Sequence, residues 1–144
     1  MRLTSRIDYG LRAMLDLALH AGGGPVPNHD ISRRQRIPEQ YLKQILPALR
    51  RQGLVVSTRG PNGGHRLARR PDEVTVAEIL KALEGRLDVT GFGKEAGAQG
   101  ESSRILAQFW GELSQAMENV LEGTTLDDLC RKKRRHDQSL IYQI

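Results

Sequence analysis

Cysteine is nearly absent from the sequence, and metal-ligand patterns are missing altogether. Cys130 is the single cysteine among 144 residues, which excludes an intrachain disulfide framework and suits a reducing compartment. A core of this size can hold without a disulfide or a structural metal. The four histidines share no metal-ligand spacing, so we predict neither a metal site nor a cofactor: His20, His29, His65 and His136.

The sequence also lacks a long apolar run. Its first twenty residues look apolar, but Arg6, Asp8, Arg12 and Asp16 interrupt every stretch long enough to be a signal-peptide core or a membrane span. We therefore predict a cytoplasmic protein made of one domain, or of a small domain with an extension.

Positive charge, by contrast, is concentrated in the first half of the chain. Lys and Arg number 22 in total, against 17 Asp and Glu. Residues 1–71 hold 13 of the positive residues and 4 of the negative ones, whereas residues 72–144 hold 9 and 13. A basic N-terminal half indicates a polyanionic partner such as nucleic acid.

Helical periodicity in the first half predicts a helix-turn-helix. The first helix is predicted over residues 4–21, with Ser5 and Asp8 as a capping-box-like start. A short helix is predicted over residues 29–35, with Asn28 as its N-cap. A longer helix followed by two short ones joined by a tight turn is typical of the motif.

The third helix of the motif contains an unfavourable residue. It is predicted to begin at Pro38, a first-turn position that tolerates proline, and to end at Gly53. Pro47 falls inside it and deletes a hydrogen bond to the carbonyl of Lys43, at a cost of about 3 kcal/mol. We expect a kink or an early loosening of the helix there, and no change of fold.

A β-hairpin is predicted around the glycine-rich stretch STRGPNGGHRLARR, residues 57–70. Residues 54–58 form one strand, GPNGG provides turn chemistry, and residues 65–68 return as the second strand. An enzymatic phosphate-binding loop is excluded, because Gly60 is followed at the required distance by His65, without a lysine. We interpret the stretch as a DNA-binding wing; the alternative is an exposed turn with solvated charges.

The second half is predicted to contain a large apolar face. A fourth helix is predicted over residues 75–84, and the glycine-rich residues 91–100 then indicate a mobile loop or linker. A long helix follows, over about residues 102–122. Its apolar stripe is too large to stay uncovered, so either the first domain or a second copy must cover it: Leu106, Phe109, Trp110, Leu113, Met117, Val120 and Leu121.

A last helix is predicted to begin with Thr124 and Asp127 as its capping pair, and residues 136–144 are predicted to form a frayed tail. Cys130 lies on this helix beside the five positive residues 131–135. We interpret it as an ordinary cysteine; the alternative is that the neighbouring charges lower its pKa and make it redox-active. The same charges could reach DNA flanks or simply be solvated.

Three segments resemble the Rrf2 (Rrf-two) family of bacterial winged-helix transcription regulators: MRLTSRIDYGLRAMLDLALHA, YLKQILPALRRQGLVVSTRGPNGGHRLAR and VTVAEILKALEG. The resemblance runs almost without gaps from Met1 to about Leu129, and RGPxGG after GLV is typical of the family's wing. It implies a mainly α fold with a small β-hairpin wing, and a homodimer whose long helices pack across the dyad. The implied division is a DNA-binding domain over residues 1–85, a loop at the sensor position over 86–101, dimerisation helices over 102–135 and a tail over 136–144.

The resemblance implies DNA contacts from the third helix and the wing. Gln40, Lys43 and Gln44 stand in the first turns of the recognition helix, where Gln and Lys can bind base edges. The iron-sulfur branch of the family has an acidic residue in place of Lys43, so we expect a different operator preference. The other expected contacts are to phosphates or, at the wing, to a narrow minor groove: Arg2, Thr4, Tyr41, Arg50, Arg51, Arg59, Gly60, Pro61, Asn62, Gly63 and His65. The alternatives are packing for Tyr41 and simple solvation for Arg2, Thr4, Arg50 and Arg51.

The sensing segment departs from the family. Iron-sulfur relatives carry three cysteines six residues apart and then a histidine, and an ungapped alignment puts Phe92, Ala98, Arg104 and Ala107 at these positions. None of these side chains ligates iron, so no cluster of the family type is expected. Asp8 resembles a non-cysteine ligand of nitric-oxide-sensing relatives, and we interpret it here as a first-turn helix cap.

These observations together predict a regulator of transcription. The chain is expected to act without a cluster, as a homodimeric, sequence-specific repressor on a palindromic operator. The alternative is an interaction module controlled by a metabolic enzyme that docks on residues 91–100, as in some cluster-free relatives. An enzyme is disfavoured, because no nucleophile, base and orienting residue are indicated in proximity.

Overall fold

Six α-helices and one two-stranded hairpin make up the described part of the chain, residues 4–85 and 100–142 of the computed structural model. This content confirms the predicted mainly α fold with a small β-hairpin. None of these described helices is long and apolar enough to cross a membrane. The elements are α1 (Ser5–Leu19), α2 (Asn28–Gln35), α3 (Glu39–Arg51), β1 (Val55–Thr58), β2 (Gly64–Leu67), a 3₁₀ turn (Pro71–Glu73), α4 (Val76–Glu84), α5 (Glu101–Gly123) and α6 (Leu126–Tyr142).

The start of α1 differs from the prediction. Thr4 has an extended backbone, and its side chain accepts a hydrogen bond from the amide of Ile7 at 3.4 Å, so Thr4 is the N-cap. Ser5 is already helical, and an N-cap must lie outside the helix. Asp8 was predicted to help cap α1, but its carboxylate instead pairs with Arg12 at 2.7 Å.

The starts of α2 and α6 differ as well. Asn28 is the first residue of α2 and makes no capping bond, so the predicted cap by Asn28 is wrong. The capping box of α6 consists of Thr125 and Asp128, one residue later than the predicted pair. Thr124 is not available for this role, because its hydroxyl donates to the carbonyl of Val120 in α5 at 2.7 Å.

Helix α3 continues through Pro47 to Arg51, so the predicted early loosening is wrong. Pro47 has no amide to donate to the carbonyl of Lys43. The helix is held instead by its tertiary contacts, because most helical stability in proteins comes from packing of an apolar face. The buried residues of that face flank the proline on both sides: Leu42, Ile45, Leu46, Ala48 and Leu49.

Helix α1 packs against α2, α3, α4 and α6 and so holds the helix-turn-helix together. It lies very close to α4, since a Cβ atom on Gly10 would clash with the side chain of Leu83. The side chains that fill the core around α1 are aliphatic. The largest fully buried ones include Ile7, Met14, Leu17, Ile31, Ile37, Leu42, Ile45, Leu49 and Ile79.

An ion pair inside the fold joins α1 to α2. The side chain of Asp16 is 0% exposed. Arg34 donates to its two carboxylate oxygens at 3.0 and 2.8 Å, and Gln35 donates to one of them at 3.0 Å. The hydrogen bond with Asp16 raises the pKa of Arg34 above its usual value. Every carboxylate oxygen of Asp16 therefore has a partner on α2, which fixes the position of α2.

The C-terminal part of α5 packs on α4. Leu121 there joins a small cluster formed by Ile7, Val76 and Leu80. The stripe was predicted to be covered by the first domain or by a second copy. For Leu121 the first domain of the same chain provides this cover.

Helix α6 is anchored in the core by Leu126 and Cys130, which are 0% and 2% exposed. Beyond Cys130 it stays helical through Tyr142, with every residue exposed, so residues 136–142 do not form the predicted frayed tail. Burial raises the pKa of the Cys130 thiol, although Arg134 acts in the opposite direction. This agrees with the favoured interpretation of Cys130 as an ordinary cysteine, here one packed in the core, and not with the alternative of a lowered pKa.

Candidate nucleic-acid interface

Helix α3 presents a polar, basic face to solvent. Gln40, Lys43 and Gln44 are exposed, and their spacing of three and four residues puts them on one side of its first turns. Arg50 and Arg51 are exposed in its last turn. Amide and ammonium groups at the start of such a helix suit base edges, and guanidinium groups suit phosphates.

Tyr41 has a mainly structural environment. It is half-buried, and its ring packs edge-to-face against Tyr9 of α1, with ring centroids 5.0 Å apart and an interplanar angle of 74°. Arg12 lies over the Tyr9 ring, 5.7 Å from its centroid. This stack holds the start of α3 against α1, while Arg12 remains partly accessible.

A carboxylate at the start of α3 was not singled out from the sequence. Glu39 is the first residue of α3, and its Oε1 lies 3.1 Å from Nδ1 of His29 in the first turn of α2. Both side chains are exposed. The sequence carries only a weak signal of this pair, because an acidic residue in a first turn is common at helix N-termini.

The hairpin has the shape expected of a wing. Its strands pair antiparallel, with Val55 opposite Leu67 and Thr58 opposite Gly64. The tip between them comprises residues 59–63, where Arg59, Gly60, Pro61 and Asn62 are exposed and Gly63 is half-buried. Gly60 has a φ of 111°, and the amide of Gly63 donates to its carbonyl at 2.9 Å. The turn therefore depends on glycine at Gly60 and projects Arg59 into solvent.

The base of the hairpin is fixed to the segment between α1 and α2. Val26 and His65 exchange two backbone hydrogen bonds, of 2.9 and 2.8 Å. Gly64 comes so close to this segment that a Cβ atom would clash with the backbone of Val26. The wing is thus anchored on the side away from β1.

His65 was predicted to contact DNA, but the structure places it between elements of the fold. Its Nε2 donates to Oδ1 of Asn28 at 2.5 Å, and its Nδ1 lies 2.7 Å from Oγ of Ser57. The ring is half-buried. Burial, with a smaller contribution from the charge of Arg50, lowers the pKa of His65. Neither ring nitrogen points away unbonded to meet a phosphate.

The predicted contacts at the N-terminus divide in two. Arg2 lies outside the described residues. Thr4 is half-buried and engaged within the fold: besides capping α1, its hydroxyl donates to Oε1 of Glu84 at 2.6 Å. A phosphate contact from the Thr4 hydroxyl would have to compete with this bond.

The described residues contain no metal site. Across residues 4–85 and 100–142, no three His, Cys, Asp or Glu side chains cluster as metal ligands do. Arg104 and Ala107 are exposed on α5. Phe92, Ala98 and nearly all of the glycine-rich stretch 91–100 lie outside the described residues.

An apolar face remains uncovered on α5. Val120 is 66% exposed and Phe109 is 51% exposed, and Leu106 and Leu113 belong to the same face. Trp110 and Met117 are half-buried at its margin. Ile105, which the sequence analysis left out of the stripe, is 62% exposed and lies one residue before Leu106 and four before Phe109. Faces of this size on isolated chains mark interaction sites.

Comparison with known proteins agrees with this arrangement. Residues 3–132 match the family Rrf2, described as an iron-dependent transcriptional regulator. The HTH-type transcriptional regulator IscR of Aliivibrio salmonicida is 43% identical over 129 residues, covering 90% of this chain and 77% of the relative. IscR of Pectobacterium carotovorum is 41% identical over 133 residues, covering 92% and 81%.

Solved structures show the same fold. CymR, the global cysteine regulator of B. subtilis, superposes with a TM-score of 0.77 at 32% identity, over 92% of this chain and 98% of CymR. IscR of T. potens superposes with a TM-score of 0.74 at 34% identity, over 92% of this chain and 88% of that one.

Proposed function

Since the chain belongs to the Rrf2 family of transcription regulators, we propose that it represses transcription as a homodimer bound to a palindromic operator. A regulator of this family is not an enzyme. The observation that carries the proposal is the exposed face of α3, where amide and cationic side chains stand beside an anchored hairpin with an arginine at its tip.

On this proposal, sequence is read by the first turns of α3. Gln40 and Gln44 can each bind adenine through two hydrogen bonds, and Lys43 can donate to guanine. Arg50 and Arg51 contact phosphates, which position the protein without specifying a base. Arg59 enters the adjacent minor groove, because a narrow minor groove has a strongly negative potential.

The exposed apolar face of α5 supports a homodimer. A second copy of the same face would cover Phe109 and Leu113 by a two-fold arrangement, which is the commonest symmetry of soluble oligomers. Two recognition helices related in this way would meet successive major grooves about 34 Å apart, so the operator would be palindromic. A dimer seated across a promoter would exclude polymerase, and this is why we propose repression.

The residues present do not fit the iron that the family description names. A cluster of the kind carried by iron-sulfur relatives needs several thiolates, and this chain has one cysteine. Cys130 is buried on α6, and the sequence of residues 86–99 contains neither cysteine nor histidine. We therefore propose that DNA binding is independent of a cluster. Control by an enzyme docking on residues 91–100 stays a prediction.

The test is selection of bound sequences from random duplex DNA by the purified dimer, with a metal chelator present throughout. We expect enrichment of one palindrome with half-sites about one helical turn apart, and an affinity for it that falls steeply with salt, by about 0.9 log units per phosphate contact. Retention of DNA without an enriched palindrome would contradict specific binding. Enrichment only in the absence of chelator would contradict the cluster-free form.

A further inference from the structure

The side chain of His65 joins three parts of the DNA-binding domain. His65 lies in β2 directly opposite Ser57 of β1. Its Nδ1 is 2.7 Å from the hydroxyl of Ser57, and its Nε2 is 2.5 Å from the amide oxygen of Asn28, the first residue of α2. One imidazole ring therefore links both strands of the hairpin to the start of the helix-turn-helix.

The direction of these bonds follows from the partners. An amide oxygen only accepts, so Nε2 of His65 carries the proton and donates to Asn28. In the neutral ring Nδ1 then accepts from the hydroxyl of Ser57. Both ring nitrogens are used inside the protein, which leaves the ring no free polar atom for DNA.

Val55 of β1 packs into the core, and His65 adds a polar anchor on β2. An isolated two-stranded hairpin is marginally stable in water, and this one has four residues in each strand. Among the described residues, the bond from His65 to Asn28 is the one side-chain hydrogen bond that ties a strand of the hairpin to a helix. The backbone pair of His65 with Val26 reinforces it from the same residue.

We propose that His65 is a positioning residue for DNA binding: it sets the angle between the wing and α3, so that Arg59 and Lys43 reach the same duplex together. The inference rests on the proposed function, since it presumes that α3 and the wing both contact DNA. Without the His65 ring, α3 would still bind and the wing would keep its backbone bonds to Val26, but it would lose the side-chain link that sets its angle to the helix-turn-helix.

A double-mutant cycle between His65 and Arg59 tests this role. Arg59→Ala should weaken binding of the selected operator by about tenfold in the wild-type background. In the His65→Phe background, which keeps an aromatic ring in the strand but removes both hydrogen bonds, the same change should cost less than about twofold. Ser57→Ala and Asn28→Ala each remove one of the two hydrogen bonds. In each of these backgrounds Arg59→Ala should weaken operator binding by an amount between about twofold and tenfold. These two variants take the place of His65→Phe if that protein does not fold.

Two controls separate positioning from general stability. Thr125→Ala removes the capping box of α6, far from the wing in sequence, and lowers stability by another route; Arg59→Ala should still cost about tenfold in that background. Lys43→Ala should weaken binding equally with and without His65. An unreduced effect of Arg59→Ala in both the His65→Phe and Asn28→Ala proteins would overturn the positioning role. The positioning role would also be overturned if Arg59→Ala bound the operator like the wild type. If Lys43→Ala still weakened operator binding in that case, the proposed function itself would remain supported.

Discussion

Asp16 and Arg34 show how a single buried charge can organise the helix-turn-helix. A carboxylate removed from water is costly unless it is paired and fully hydrogen-bonded. Here Arg34 and Gln35 together donate three hydrogen bonds to it. Because both donors belong to the last turn of α2, the charge is tolerated only when α2 lies in its observed position on α1.

Loss of this partner should be strongly destabilising. Arg34→Met removes two of the three donors and leaves the buried Asp16 carboxylate under-paired, so we expect the free energy of unfolding to fall by about 3 kcal/mol. Urea denaturation followed by circular dichroism measures it. Arg33→Met is the matched control, because Arg33 is 68% exposed and lies 3.9 Å from Asp30, and it should cost less than about 0.5 kcal/mol. Equal effects of the two changes would contradict this account.

At the scale of one element, α4 illustrates how local side-chain bonds fix a helix start. The hydroxyl of Thr75 accepts from the amide of Glu78 at 3.2 Å, and the carboxylate of Glu78 accepts from the amide of Thr75 at 3.0 Å. Arg69 donates a second hydrogen bond to the same carboxylate. Burial alone raises the pKa of Glu78, but the bonds from Arg69 and Thr75 outweigh it and hold the pKa below its ordinary value of 4.5.

This shift predicts a dependence of stability on acidity. A carboxyl group whose pKa is lowered by folding contributes stability above its ordinary pKa, and that contribution is lost as the pH falls through the folded value. The free energy of unfolding of the wild type should therefore decline below about pH 4.5. Glu78→Gln keeps a capping side chain without the charge, so its stability should decline less over the same range. Parallel pH profiles of the two proteins, from urea titrations, would contradict the role of the charge.

At the scale of the whole molecule, positive charge and exposed apolar surface lie in different halves of the chain. The N-terminal half carries the excess of positive residues, and it contains α3 and the wing. The second half carries the uncovered face of α5, a helix of 23 residues and about 35 Å in length. On the proposed function, one half binds DNA and the other pairs two copies, so that neither works alone on a palindrome.

Disruption of the α5 face should abolish pairing of two copies and, with it, tight binding of the palindrome. Phe109→Asp puts a charge on the apolar face and should shift the dimer to monomer in sedimentation at micromolar concentration. Operator affinity should fall at least about tenfold, because each monomer then binds a single half-site. Ala107→Asp introduces the same residue on the opposite side of the helix, about 200° away, and should leave both properties unchanged. A Phe109→Asp protein that remains dimeric would contradict the proposed interface.

Much of the architecture could be predicted from local patterns. Helical periodicity, the glycine-rich turn and the order of elements gave the winged helix-turn-helix, and the helix boundaries were right to within about two residues except at the end of α6, which continues to Tyr142. The misplaced caps at Ser5, Asn28 and Thr124 share one cause. Each is a plausible capping residue by type. Ser5 is already helical, so Thr4 caps α1, while the side chains of Asn28 and Thr124 bond to His65 and Val120 instead.

The sequence by itself determined the fold class, the basic character of the N-terminal half and the lack of cysteines for a cluster, because periodicity, charge and composition are local properties. Only the tertiary structure decided that Asp16 pairs with Arg34, that Cys130 is a core residue with a raised pKa, and that His65 ties the wing to Asn28. His65 and Asn28 are 37 residues apart. Partners so far apart are chosen by how the elements pack, and burial, which sets the pKa of a thiol, exists only once the chain has folded.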